Sequence, residues 1–368
     1  MQFPNVDTIP IPAPVWLMKA LGLVTLALHL VSVQLLIGTL VMVLIMSLMK
    51  GSAGLKTATH VLARRSTIIM TYVVNLGIPP LLFAQVLYGR ALYTSSDLIA
   101  VFWISVVPML MACYWLLYRA ADRTARGVSP ALPILGALVL AMGVGRLLSY
   151  NMTLMLRPEV WQAMYAHTAS GLQLPPPEPT GTPRWAFVMV GSMLAVGIWM
   201  LLNGNLPTID DDAKAVLRKF GKVSALLGAV GEIGLGIVAY AAQPDYVRQG
   251  LLDTPFYKVS AIVWAVGVVL ALALALWSGI RPKINQLAAV LGAVMCIVGM
   301  AGAVLVRDGI RDLTLMHAGF NVWNRHEVSN WGVVGIFLAL FVISLGVIGW
   351  LLLVMRQATP VSEQVASS

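Results

Sequence analysis

Apolar residues in this chain run in long unbroken stretches separated by short polar links, and the alternation repeats from one end to the other. Nine stretches can be read, at roughly 15–48, 66–89, 97–118, 130–156, 185–205, 220–242, 257–279, 286–306 and 331–355. Each exceeds the about 18 residues that carry a helix across the hydrocarbon core of a bilayer. A backbone in lipid must satisfy its own hydrogen bonds, so every stretch is predicted to be helical. The links carry Gly, Pro or charge, as in Lys50 to Arg65, Arg119 to Arg126, and Leu206 to Lys222 with its Asp210-Asp211-Asp212 cluster. The expected fold class is therefore all-α, a polytopic membrane bundle of nine transmembrane helices.

Composition agrees with the pattern. Of 368 residues, 59% are hydrophobic and 11% charged, against about 25% charged in soluble domains. The mean hydropathy is +0.85. No stretch is polar enough to fold as a separate soluble domain, and the lipid bilayer is the first partner. The first apolar stretch is too long for a signal-peptide core and reads as a true span.

The net charge of +9 sharpens the topology. With the N-terminus outside, Lys50, Lys56, Arg64, Arg65, Arg119, Arg123, Arg126, Lys214, Arg218, Lys219, Lys222, Arg281, Lys283 and Arg356 fall on the inner side. Fewer basic residues fall outside, which favours N-out and C-in under the positive-inside rule. The basic residues form no clustered soluble module, so a nucleic-acid partner is not expected. Cys113 and Cys296 both lie in apolar stretches and form no Cys-x-x-Cys-His, so covalent haem attachment is excluded.

The two halves resemble each other. Asn75-Leu76-Gly77 falls opposite Glu232-Ile233-Gly234, Gly38 opposite Gly197, and Met142-Gly143-Val144-Gly145 near Gly299-Met300-Ala301-Gly302, with offsets close to 157–159 residues. This suggests a first four-helix unit over 1–157. A second unit, with an outer loop on each side, follows over 158–328, and a ninth helix with an inner tail over 329–368. Four spans per unit make the repeats parallel. Small residues are common in apolar helices, so chance similarity competes with this reading.

Few residues could carry chemistry within the spans. His29 lies near the middle of the first, where an ionisable ring should face the protein interior or a cofactor. It could ligate haem iron or simply bond to a neighbouring helix. Glu232 is the acid within a span and Arg146 the base; Glu232 could accept a proton, or the two could clamp together. Gln34, Asn75, Gln85 and Tyr88 supply further interior polar groups. On the outer side, Arg307, Asp308, Arg311, Asp312, His317 and His326 form the densest polar group of the chain. Its arginines could hold haem propionates or a quinone head group, or the group could be a solvated loop. His167 also lies outside, and His60 at the inner surface. Asn151-Met152-Thr153 matches a glycosylation sequon but sits in an apolar stretch. Tryptophans near span ends, among them Trp16, Trp161, Trp323, Trp331 and Trp350, read as interfacial anchors.

The residues resemble those of subunit I of the cytochrome bd quinol oxidases. That family has nine transmembrane helices, an outer N-terminus and a haem-binding histidine on the first helix with a glycine nine residues later, as in His29 and Gly38 here. Val74-Asn75-Leu76-Gly77 through Tyr88-Gly89 and Tyr93-Thr94-Ser95-Ser96 resemble its second helix and the turn after it. The departures are as informative. Val188 stands where the family's second haem histidine would be, and Lys258 and Ser260 where its arginine and methionine ligand would be. Asp97 to Leu117 holds no glutamate, the quinol loop is reduced to Gln243–Pro255, and Val306-Arg307-Asp308-Gly309 is at most a remnant of the Gly-Arg-Gln-Pro-Trp signature.

The resemblance implies a subunit of a respiratory electron-transfer complex in a bacterial inner membrane, binding haem b, quinone or both, and not a complete oxidase alone. His29 would ligate iron. Glu232 would take a proton or support the site, and Arg146, Arg307, Arg311 and His317 would line cofactor positions. Other subunits, and a cytochrome c on the outer face, would be its partners. A cofactor-free scaffold subunit and a transporter are the competing classes.

Overall fold

The computed structural model describes residue 3 and residues 10–280 and 283–357; Arg281 and the tail beyond Gln357 lie outside the described residues. In chain order the helices are α1 (Val15–Leu48), α2 (Ala53–Leu98), α3 (Ala100–Ala125), α4 (Ala131–Leu154), α5 (Pro158–His167), α6 (Gly181–Asn203), α7 (Asp211–Ala241), α8 (Asp245–Asp253), α9 (Pro255–Ser278), α10 (Gln286–His317) and α11 (Trp331–Gln357). Eight of them are long and apolar enough to cross a membrane. The ninth long helix, α11, has 27 residues. The chain is thus the multi-pass all-α membrane protein that its apolar pattern predicts.

Most links expected as loops are partly helical: α2 starts at Ala53, α3 runs to Ala125 and α7 starts at Asp211, inside the links Lys50 to Arg65, Arg119 to Arg126 and Leu206 to Lys222. α10 continues past residue 306 to His317, so Arg307 to Asp312 belong to a helix and not to an outer loop. The reason is visible in the side chains: Asp308 and Arg311, three residues apart, pair along the helix. The links over 158–183 and 243–255 contain α5 and α8.

α2 has 46 residues, about 69 Å of helix, more than twice the roughly 30 Å hydrocarbon core. Pro79 and Pro80 stand inside it, and Tyr88 departs from helical geometry with φ −122° and ψ 20°. The prolines remove two backbone donors from the helix interior. Tyr93 to Ser96, expected as a turn, remain helical. The Thr94, Ser95 and Ser96 hydroxyls donate back to Arg90 and Leu92 carbonyls at 2.7–2.9 Å, so their protons are satisfied within the helix.

α1 is surrounded by α2, α4, α6 and α10, while α3 packs on α4, α6 on α7 and α9 on α10. In lipid, apolar burial drives helices together only weakly, so close backbone approach matters. Gly38 provides one such contact, since a Cβ there would come 2.7 Å from Val196 Cβ on α6. Gly267 provides another, with a Cβ position 2.6 Å from Gly299 Cα. The main core gathers Leu40, Val43, Leu62, Cys113, Leu117, Ile134 and Val196. A second lies at the end bearing the N-terminus, around Tyr88, Ile99, Leu154, Trp161 and Phe320.

Two local expectations fare differently. Trp161 is not an interfacial anchor: it is buried, and its Nε1 donates to Leu154 O at 2.9 Å. Asn151 is buried and donates to Ser96 Oγ at 3.1 Å, so its sequon is inaccessible.

Candidate functional site

His29 lies on α1 against α2, with Nδ1 3.0 Å from the Val73 carbonyl oxygen. A carbonyl only accepts, so Nδ1 donates and the neutral ring keeps its lone pair on Nε2. Gly77 makes this packing possible, because a Cβ there would come 2.8 Å from His29 Cε1. Although four helices surround α1, every residue from Leu28 to Val33 is partly exposed. The helices therefore do not close completely around His29. The ring is bonded to its neighbouring helix through one nitrogen and leaves the other available, so the two sequence readings of His29 are compatible. For a haem, this donor set fits one axial nitrogen.

Glu232 lies on α7 and faces a different part of the bundle. Trp264 Nε1 on α9 donates to its Oε1 at 3.2 Å. A Cβ at Gly191 on α6 would come 2.5 Å from Gln34 Nε2 and 2.7 Å from Glu232 Oε2, so both side chains rest on that bare backbone. Gln34 Nε2 is buried there without a hydrogen-bond partner among the described residues. Gly191 carried no signal in the sequence, since many glycines occupy these spans.

The Glu232–Arg146 clamp does not form. Arg146, on α4, donates to Thr182 Oγ1 at 2.9 Å and lies over the rings of Tyr150 and Trp185 at 4.3 and 5.7 Å. Glu232 instead turns toward α9 and the Gly191 backbone, so the acid and the base are drawn to different neighbours.

The polar group of α10 is buried, not a solvated loop. Lys19 on α1 bonds Asp308 at 2.8 Å and also pairs with Asp312. Arg311 pairs with Asp308 and lies 4.0 Å over the ring of Tyr88, whose hydroxyl donates to Asp312 Oδ1 at 3.1 Å. Two cations and two carboxylates thus neutralise one another, which commits Arg311 within the protein. Arg307 differs. It makes no hydrogen bond or ion pair among the described residues; Arg311 and Arg184 repel its charge, and Asp308 and Tyr88 oppose that repulsion. Lys19 and Tyr88 complete this group across helices. A lysine four residues into the first apolar stretch was the available signal.

His317 stacks on Tyr246 of α8 with ring centroids 4.0 Å apart, away from His29 and Glu232 on the surface of this end. Burial raises the Tyr246 hydroxyl pKa, and Glu159 raises it further, against a lowering hydrogen bond to Thr314. At the opposite end, His60 Nδ1 lies 2.9 Å from Thr124 Oγ1. No cluster of three or more His, Cys, Asp or Glu side chains suited to a metal ion occurs among the described residues.

No family model matches the chain, and no curated protein matches it in sequence. Among solved structures it is similar to a chain of the bd oxidase from Geobacillus thermodenitrificans, with a TM-score of 0.72 and 12% identity, over 96% of this chain and 100% of that one. Identity that low speaks for architecture alone. This protein has the fold of a bd oxidase chain.

Proposed function

We propose that the chain is a membrane subunit of a respiratory electron-transfer complex and holds one b-type haem through Nε2 of His29. The observation that carries this reading is the approach of Nδ1 to the Val73 carbonyl oxygen at 3.0 Å, which leaves the lone pair on Nε2. An accepting backbone carbonyl on Nδ1 is how histidines are oriented toward metals. A haem bound there would supply one-electron transfer at iron. The chain's own contribution would be to orient the imidazole and to neutralise charge nearby. Arg307, which has no acceptor among the described residues, is the better candidate for a carboxylate of the bound group. Arg311 would act through Asp308, and Arg146 by supporting the α4–α6 seam. Glu232 would take a proton beside Gln34.

Within the same proposal, a quinone and a cytochrome c at the end bearing the N-terminus are the redox partners, with Tyr246 and His317 in the surface offered to them. The chain would sit in a bacterial inner membrane with its N-terminus outside, as two four-helix units and a ninth helix, beside other subunits. A reduced-minus-oxidised visible spectrum of the protein purified with added haem tests the reading. A b-type band is expected from the wild type and should vanish in His29→Ala. A flat wild-type spectrum would leave the cofactor-free scaffold in its place.

A further inference from the structure

Arg65 stands on α2 near the end of the bundle opposite the N-terminus and turns toward the C-terminal end of α6. Its Nη1 donates to Asn203 Oδ1, and the Asn203 amide donates in turn to Trp199 O at 2.7 Å. The guanidinium lies over the Trp199 ring, 5.7 Å from its centroid. No carboxylate pairs with Arg65 among the described residues, and its charged neighbour is a second cation, Arg64. Trp199 Nε1 is buried without an acceptor among the described residues, as is Asn205 Nδ2 just beyond Asn203. Buried donors are almost always satisfied, so two unpartnered donors, Trp199 Nε1 and Asn205 Nδ2, beside a guanidinium with no carboxylate point to an acceptor from outside the described residues.

We infer that Arg65, with Arg64 and Trp199, binds the phosphate of an anionic phospholipid headgroup. A guanidinium matches two phosphate oxygens at once, and apart from the Nη1 bond to Asn203 the Arg65 guanidinium makes no hydrogen bond among the described residues. The site lies where the apolar part of α2 gives way to the polar turns after Ser52, the level at which headgroups meet a transmembrane helix. This end also carries most of the chain's cations, and basic pockets between helices favour anionic lipid. The site is separate from His29 and does not depend on a haem.

Native mass spectrometry of the full chain in detergent tests the inference, with dioleoyl phosphatidylglycerol, dioleoyl phosphatidylcholine and inorganic phosphate as probes. Phosphatidylglycerol is expected to occupy a single preferred site, and phosphatidylcholine is not. Affinity should fall about tenfold in Arg65→Gln, fall by less in Arg65→Lys, which keeps the charge and loses the two-pronged geometry, and be unchanged in the exposed Arg119→Gln. Equal binding of the two lipids, or wild-type affinity in Arg65→Gln, would overturn the proposal. Inorganic phosphate displacing the lipid at equal concentration would reassign the site to free phosphate and end the lipid assignment. If Arg65→Gln does not fold, Trp199→Phe decides: it keeps an aromatic face and removes the N–H, so binding should weaken, and unchanged binding overturns the inference.

Discussion

Lys19 shows how a single residue can matter more than its surroundings suggest. It is 5% exposed and lies between Asp308 and Asp312, themselves 5% and 3% exposed. A buried pair contributes little net stability, but removing one partner leaves an uncompensated charge. Lys19→Met is therefore expected to destabilise the protein by about 3–5 kcal/mol. Lys19→Met with Asp312→Asn should cost less than the single change, because one carboxylate charge goes as well. Unfolding curves in detergent check both; a single variant as stable as wild type would show that the cluster is solvated. At the same scale, His29 was legible as an intramembrane histidine, whereas its tautomer was not. Val73 lies 44 residues away, and only the packing of α1 on α2 brings its carbonyl to Nδ1.

Among the helices, the seam between α1 and α6 is set by backbone proximity. Gly38 has the Ser192 carbonyl and the Val196 side chain against it. A methyl group at this position must push α6 away, and overpacking of this kind costs about 1–3 kcal/mol. Gly38→Ala is expected to lower the Tm, while Gly349→Ala, where a Cβ would meet open space, should not. Equal Tm values for the two variants would remove the close-approach argument. The nine apolar stretches gave this level of structure almost whole, because a run of apolar residues in lipid has no alternative to helix. Their ends were less readable. α10 extends beyond its apolar run because Asp308, Arg311, Lys19 and Tyr88 satisfy one another, a contact made between helices.

Considered whole, the molecule is a tightly interlocked set of helices with one peripheral member. α11 is exposed along most of its described length, and its Phe337 meets Phe83 edge-on at 6.0 Å. The segment before it is held to the N-terminal segment by hydrogen bonds from Ile11 N to His326 O and from Val328 N to Ile11 O, each 3.0 Å. A chain ending after Asn330 keeps these bonds and both cores. It is expected to insert and to unfold within a few degrees of the full chain; failure to accumulate in the membrane would assign α11 a structural role that its packing does not suggest.

The sequence by itself determined that the chain crosses a membrane repeatedly as helices, and which few polar residues would lie at depth. Both follow from the cost of placing unbonded backbone and charge in hydrocarbon. The pairing of those polar residues was decided only by tertiary structure. Whether Glu232 meets Arg146 or Trp264, and whether Arg311 is free or bound to Asp308, depends on which helix faces lie together. Small residues such as Gly38, Gly77 and Gly191 set that arrangement through the bulk they lack, and a missing side chain leaves no mark in hydropathy or charge.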